Sequence, residues 1–174
     1  MELFSMQHWQ PFFENESDLN RAIEHQLERT ITIFPWIAII DKFQHWVYTN
    51  PAHTIEQRTN EWQNIVKEFS SKTLNQSGLK EFRAIGWQRQ LHLFEVPFYY
   101  IEYGIAQLGA IGMWMQYQKD PKQALENYMN ALALGGTKTL PELYQTAGLE
   151  FNFSPVYVKN LMEFTNQELE KLYH

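Results

Sequence analysis

The sequence contains no cysteine. That excludes a disulfide framework, a thiolate zinc site and a cysteine nucleophile, and it fits a reducing, cytoplasmic setting. Basic residues are also scarce. Fourteen Lys and Arg stand against 20 Asp and Glu, a formal charge of −6 at pH 7 with His neutral. Binding a phosphate backbone requires a basic stripe, so nucleic acid is not expected as a partner. No stretch alternates apolar and polar residues long enough to read as a strand. There is no repeat at a fixed period and no low-complexity tract. The longest polar-poor run, 96–117, carries Glu102 as its one charge, together with Pro97, Gln107, three Gly and four Tyr. It reads as a buried central helix of a soluble protein rather than a membrane span, and Met1-Glu2-Leu3 does not read as a targeting leader.

What the sequence does have is helix punctuation. Apolar residues make up 44% and aromatics 16% of 174 residues, enough to build a core and too rich for disorder. The reading is all-α, with 1–174 as a single helical domain or a fragment of one. Leu19, Ile23 and Leu27 mark a helix starting near Ser17. Pro35 is expected to open a second helix at its first turn, ending near Thr49. Thr54 with Gln57 predicts a capping box, followed by a stripe of Trp62, Ile65, Val66 and Phe69. The segment 70–78 is loop-like, and helix signals resume at Leu79, Phe82 and Ile85. The apolar helix is expected to run from about Pro97 to Tyr117. Asp120-Pro121 and Gly135-Gly136 bound the next helix. Thr139 with Glu142 predicts a second capping box, Gly148 a stop, and Ser154-Pro155 the start of a last helix ending near Leu172.

Sites for chemistry are few. The histidines are His8, His25, His45, His53, His92 and His174, and no two lie four apart, so HExxH is absent. His45 and His53 flank a Tyr-Thr-Asn-Pro turn, where they are ordinary histidines unless the tertiary fold converges them. Gly135-Gly136-Thr137-Lys138-Thr139 looks like the tail of a P-loop but lacks the upstream glycine and follows a helix, so a helix C-cap is the better reading. There is no Gly-x-Ser-x-Gly nucleophile elbow. The densest polar-aromatic cluster is His92-Leu-Phe-Glu-Val-Pro-Phe-Tyr99-Tyr100-Ile-Glu-Tyr103-Gly104. On a helix, Tyr99 and Tyr103 would share one face with Tyr100 beside them. A phenol is a neutral donor able to hold a carbonyl oxygen or a developing oxyanion, and His92 adds a second kind of donor. An aromatic core helix with locally satisfied hydroxyls is the competing reading.

The segment His92–Ala110 resembles the C-terminal, substrate-side region of the oligoendopeptidase F branch of the thimet-type zinc metallo-oligopeptidases. Tyr128–Thr137, Pro141–Gly148 and Phe34–Tyr48 resemble further stretches of that branch, in family order. The resemblance implies the C-terminal helical part of a gluzincin catalytic domain that hydrolyses short peptides in a deep channel. In the family, zinc is held by HExxH and a later Glu, and His and Tyr donors from the C-terminal region hold the oxyanion. As a group, these donors match His92, Tyr99, Tyr100 and Tyr103. Met1-Glu2-Leu3 resembles the tail of the segment bearing the third zinc ligand. The expectation is therefore a chain with no zinc of its own, inactive alone, that binds short peptides and pairs with a complementary N-terminal portion or a second copy. Two alternatives stand beside it. One is a non-catalytic helical interaction module, since 120–134 would pass for one helix of a TPR-like pair. The other is a peptide-binding remnant of the channel wall.

Overall fold

The computed structural model describes residues 1–73, 75 and 77–173. His174, and two residues of the 70–78 loop, therefore lie outside the described residues. Among the described residues the secondary structure is helical without strands: α1 (Glu2–Ser5), α2 (Glu16–Thr49), α3 (Ile55–Phe69), α4 (Lys80–Ala84), α5 (His92–Glu95), α6 (Ile101–Lys119), α7 (Pro121–Ala133), α8 (Leu140–Thr146) and α9 (Pro155–Glu170). None of these helices is long and apolar enough to cross a membrane. The chain divides into two compact units, 1–31 with 105–174 and 32–104, and both boundaries fall inside helices.

The caps read from sequence are where the structure starts its helices. Thr54 N donates to Gln57 Oε1 at 2.8 Å and Gln57 N to Thr54 Oγ1 at 3.2 Å. Asp120 caps α7, accepting from Gln123 N at 3.1 Å with Pro121 in the first turn. Ser154 caps α9 in the same way, accepting from Tyr157 N at 3.3 Å. These bonds satisfy amides that have no intrahelical partner. Gly148 follows α8 at φ +73°, a backbone state that a Cβ disfavours, and so ends the helix. The α2 cap was not read from sequence: Asn15 Oδ1 accepts from Asp18 N at 2.9 Å.

Two expectations are corrected. Pro35 does not open a helix but lies inside α2, which runs unbroken for 34 residues. Proline removes one amide and crowds the carbonyl four residues back, a cost of about 3 kcal/mol. The following turns offset it by burying Ile37, Ile39, Ile40 and Phe43, each at most 5% exposed. The apolar helix starts at Ile101 rather than Pro97, because Phe98 takes φ +60° and breaks the backbone ahead of it.

The 32–104 unit has its core in Ile39, Ile40, Phe43, Trp62, Ile65 and Trp87. The Trp62 ring meets Phe43 edge-on at 5.0 Å, and its Nε1 donates to the Arg83 carbonyl at 2.9 Å. A Cβ on Gly86 would sit 3.1 Å from that nitrogen, so the chain passes closest to Trp62 where there is no side chain.

The other unit packs α1 and the start of α2 with the later helices. Phe4 stacks on Tyr117 at 4.6 Å, and Trp114 meets Phe164 edge-on at 4.8 Å. From Leu108 to Tyr117, α6 buries Ile111, Met113 and Trp114 as well, so this stretch is apolar nearly all round, as read from sequence. Tyr144 Oη donates to the Ile105 carbonyl at 2.5 Å, and a Cβ on Gly109 would lie 2.7 Å from that hydroxyl.

At the start of α8, Thr139 N and Oγ1 both donate to Glu142 Oε2, at 2.9 and 2.8 Å. The backbone bond above all, then the hydroxyl, hold the Glu142 carboxyl below its ordinary value. A depressed folded value contributes stability above the unfolded glutamate value, and that stability is lost as pH falls through the folded one. The thermal midpoint of wild type is therefore expected to exceed that of Glu142→Gln slightly at neutral pH. The gap should close under acid, as followed by circular dichroism from neutral to acid pH.

Candidate functional site

His92, Tyr99, Tyr100 and Tyr103 all belong to the 32–104 unit, and the structure brings all four together. Tyr99 and Tyr100 do not lie on the helix with Tyr103, as the sequence suggested. They occupy the turn before it, which Phe98 opens at φ +60°. The turn winds tightly into α6: Glu102 N donates to the Tyr99 carbonyl at 3.0 Å and Tyr103 N to the Tyr100 carbonyl at 3.3 Å. The rings still converge. Tyr103 lies edge-on to Tyr99 at 5.7 Å and to Tyr100 at 5.0 Å. His92, at the start of α5, stacks on Tyr99 at 6.0 Å and meets Tyr100 and Tyr103 edge-on at 5.1 and 5.9 Å.

One contact links the two donor types: Tyr103 Oη and His92 Nε2 lie 3.3 Å apart. The tautomer decides its sense. When Nε2 is bare, the phenol donates to it and its proton is spent. When Nε2 carries the proton, the imidazole donates to the phenol oxygen, and the Tyr103 proton is free for an oxygen outside. Tyr99 is 47% and Tyr103 40% exposed, so these hydroxyl-bearing residues face solvent while His92 and Tyr100 are half-buried.

Two residues that no local spacing reveals hold the cluster in place. Trp36, on α2, donates from Nε1 to Tyr100 Oη at 3.0 Å. That bond occupies the phenol oxygen as acceptor, which leaves its proton for an outward bond. Gln44, one turn of α2 beyond Ile40 and 2% exposed, accepts from Phe98 N at 3.1 Å through Oε1. The bond ties down a non-glycine residue in a left-handed conformation, which costs on the order of 1–2 kcal/mol. The Phe98 ring lies between His45 at 4.9 Å and Tyr48 at 5.1 Å. Trp36 and Gln44 both lie on α2. Their partners are 64 and 54 positions away, beyond the reach of any periodicity.

The other candidates resolve differently. His53 has both ring nitrogens occupied, Nδ1 by the Asn50 carbonyl at 2.5 Å and Nε2 by Arg58 Nε at 2.7 Å. His45 Nε2 lies 3.5 Å from Asp41 Oδ2. The two histidines therefore do not face a common ligand. Among the described residues no three His, Cys, Asp or Glu side chains come together to hold a metal ion. Residues 135–137 form a single tight turn running into the Thr139 cap, with no strand before it.

Several solved structures are similar to this chain. A crystal structure of a candidate oligoendopeptidase F matches with a TM-score of 0.78 at 31% identity, covering 88% of this chain and 27% of that one. PZ peptidase A, solved with an inhibitor, matches with 0.81 at 29% identity, over 95% of this chain and 30% of its own. A candidate oligoendopeptidase F from Bacillus anthracis str. Ames matches with 0.73 at 28% identity, over 98% and 27%. The chain thus spans less than a third of each of these structures. No curated protein matches it. The model of Peptidase family M3 matches residues 1–163, and the chain belongs to that family.

Proposed function

We propose that this chain is the substrate-side, C-terminal part of an oligoendopeptidase F-like zinc metallopeptidase. It holds a short peptide by a backbone carbonyl and does not cut the peptide on its own. The observation that carries the reading is the convergence of His92, Tyr99, Tyr100 and Tyr103, with Tyr103 Oη 3.3 Å from His92 and Tyr100 Oη backed by Trp36. Neutral donors aimed at one oxygen stabilise the charge that develops on it without a buried countercharge. Peptidases of the M3 family are zinc-dependent. The donor set here does not suit zinc: it is one imidazole and three phenols, and among the described residues no three ligands of the usual types meet. Zinc and general base would come from a complementary segment. The absence of cysteine fits a cytoplasmic place of action.

The test is incubation of the purified chain with a mixture of short peptides and zinc, followed by mass spectrometry of free and protein-bound fractions. Retention of intact peptides on the protein supports the proposal. Zinc-dependent cleavage by the chain alone would overturn the inactive half of it. Absence of any retained peptide would overturn the binding half and favour an interaction module.

A further inference from the structure

The ring at position 98 is held where the backbone resists it. Phe98 takes φ +60°, a conformation that glycine and asparagine adopt easily and a bulky side chain adopts at a cost. Buried Gln44 gives its Oε1 to the Phe98 amide at 3.1 Å, while its Nε2 has no acceptor among the described residues. The fold thus accepts backbone strain and an unmatched buried donor at one place. Core burial does not offset them, because Phe98 remains 37% exposed. Strain of this kind gathers at ligand clamps, where what the side chain touches outside the fold is the reason to keep it.

Two more exposed rings adjoin it. His45 and Tyr48, about one turn apart on α2, lie against Phe98 at 4.9 and 5.1 Å. They are tilted to it by 51° and 42°, so neither lies flat on a face of the ring. Three solvent-facing rings therefore form a platform open to a fourth. The platform is continuous with the tyrosine cluster, because the residue after Phe98 is Tyr99. Along α2, Trp36 holds the Tyr100 hydroxyl, and His45 and Tyr48 follow nine and twelve residues later. At the rise of an α-helix that is roughly 13–18 Å, the reach of about four or five residues of extended chain.

We propose that His45, Tyr48 and Phe98 seat an aromatic side chain of the peptide whose backbone carbonyl meets His92 and Tyr103. The inference rests on the function proposed above and adds a substrate class to it: peptides with an aromatic residue about four or five positions from the held carbonyl. Burial of apolar area and ring–ring contact both favour such a residue over alanine.

The experiment is a calorimetric titration of the 174-residue chain with capped octapeptides of Ala and Ser, each carrying a single Phe at a different position, beside a parent without Phe. At least one Phe position is expected to bind about tenfold tighter than the parent. In Phe98→Asn, whose side chain accepts the left-handed backbone, that ratio is expected to fall to about threefold or less. On the wild-type chain the tighter peptide is expected to shift the ring resonances of His45 and Tyr48 together with those of His92 and Tyr103. The proposal is overturned if no Phe position exceeds the parent, if Phe98→Asn keeps the full ratio, or if leucine in place of the Phe binds as tightly. Peptides that bind without preference remove the platform and leave the carbonyl site standing. If no peptide binds, the parent included, the function proposed above falls as well. Should Phe98→Asn not fold, the His45 and Tyr48 shifts in wild type decide.

Discussion

Trp62→Ala is expected to destabilise the chain by about 3–5 kcal/mol, measured as a lowered urea midpoint with the slope retained. The indole is 2% exposed. It meets Phe43 at 5.0 Å and Trp36 at 6.1 Å, and its Nε1 donates to the Arg83 carbonyl at 2.9 Å. Truncation removes one of the two tryptophans of the core, opens a cavity that neighbouring helices only partly close, and takes one donor from the Arg83 carbonyl. Phe82→Ala is the control. At 74% exposure that ring contributes little burial, and the change is expected to stay within about 0.5 kcal/mol. The effect of Trp62 also reaches the candidate site, because Trp36, which rests on Trp62, holds the Tyr100 hydroxyl. A Trp62→Ala protein as stable as wild type would mean that this core is wrongly assigned.

The second large effect concerns ligand affinity rather than stability. Tyr103→Phe removes one oxygen and keeps the ring that packs on Tyr99 and Tyr100. Short-peptide affinity is expected to fall by about tenfold, the value of one hydrogen bond to a desolvated carbonyl. His92→Ala removes both a donor and the ring that three tyrosines surround, so its loss should be larger. The two side chains touch at 3.3 Å, and the double variant should lose less than the sum of the single losses. Calorimetric titration of the four proteins checks all three statements. Unchanged affinity in both single variants would remove the cluster from the binding site.

Much of the fold was legible because its signals are local. A capping box is a four-residue motif, and Thr54–Gln57 and Asp120–Pro121 start helices where the sequence places them. Pro35 misled because a local penalty was weighed without the tertiary burial that follows it at Ile37, Ile39 and Ile40. The position of Tyr99 and Tyr100 misled for the opposite reason. The apolar run looked continuous, but Phe98 sits at φ +60°, in a state held by a glutamine 54 positions earlier. His92, Tyr99, Tyr100 and Tyr103 were legible as a polar-aromatic cluster in the sequence itself, and the structure brings the four side chains together. Their supports, Trp36 and Gln44, were not legible, because a hydrogen bond between distant elements leaves no periodic trace.

The central claim is that the His92–Tyr103 cluster is where a peptide carbonyl is held. The most direct measurement is a titration of the wild-type chain, labelled at histidine rings and tyrosine ζ-carbons, with a short peptide. Saturable shifts are expected at His92 and Tyr103, smaller ones at Tyr99 and Tyr100, and none at Tyr173, whose hydroxyl bonds to Glu24 in the other unit. A peptide that binds and shifts other residues while leaving His92 and Tyr103 unmoved would contradict it.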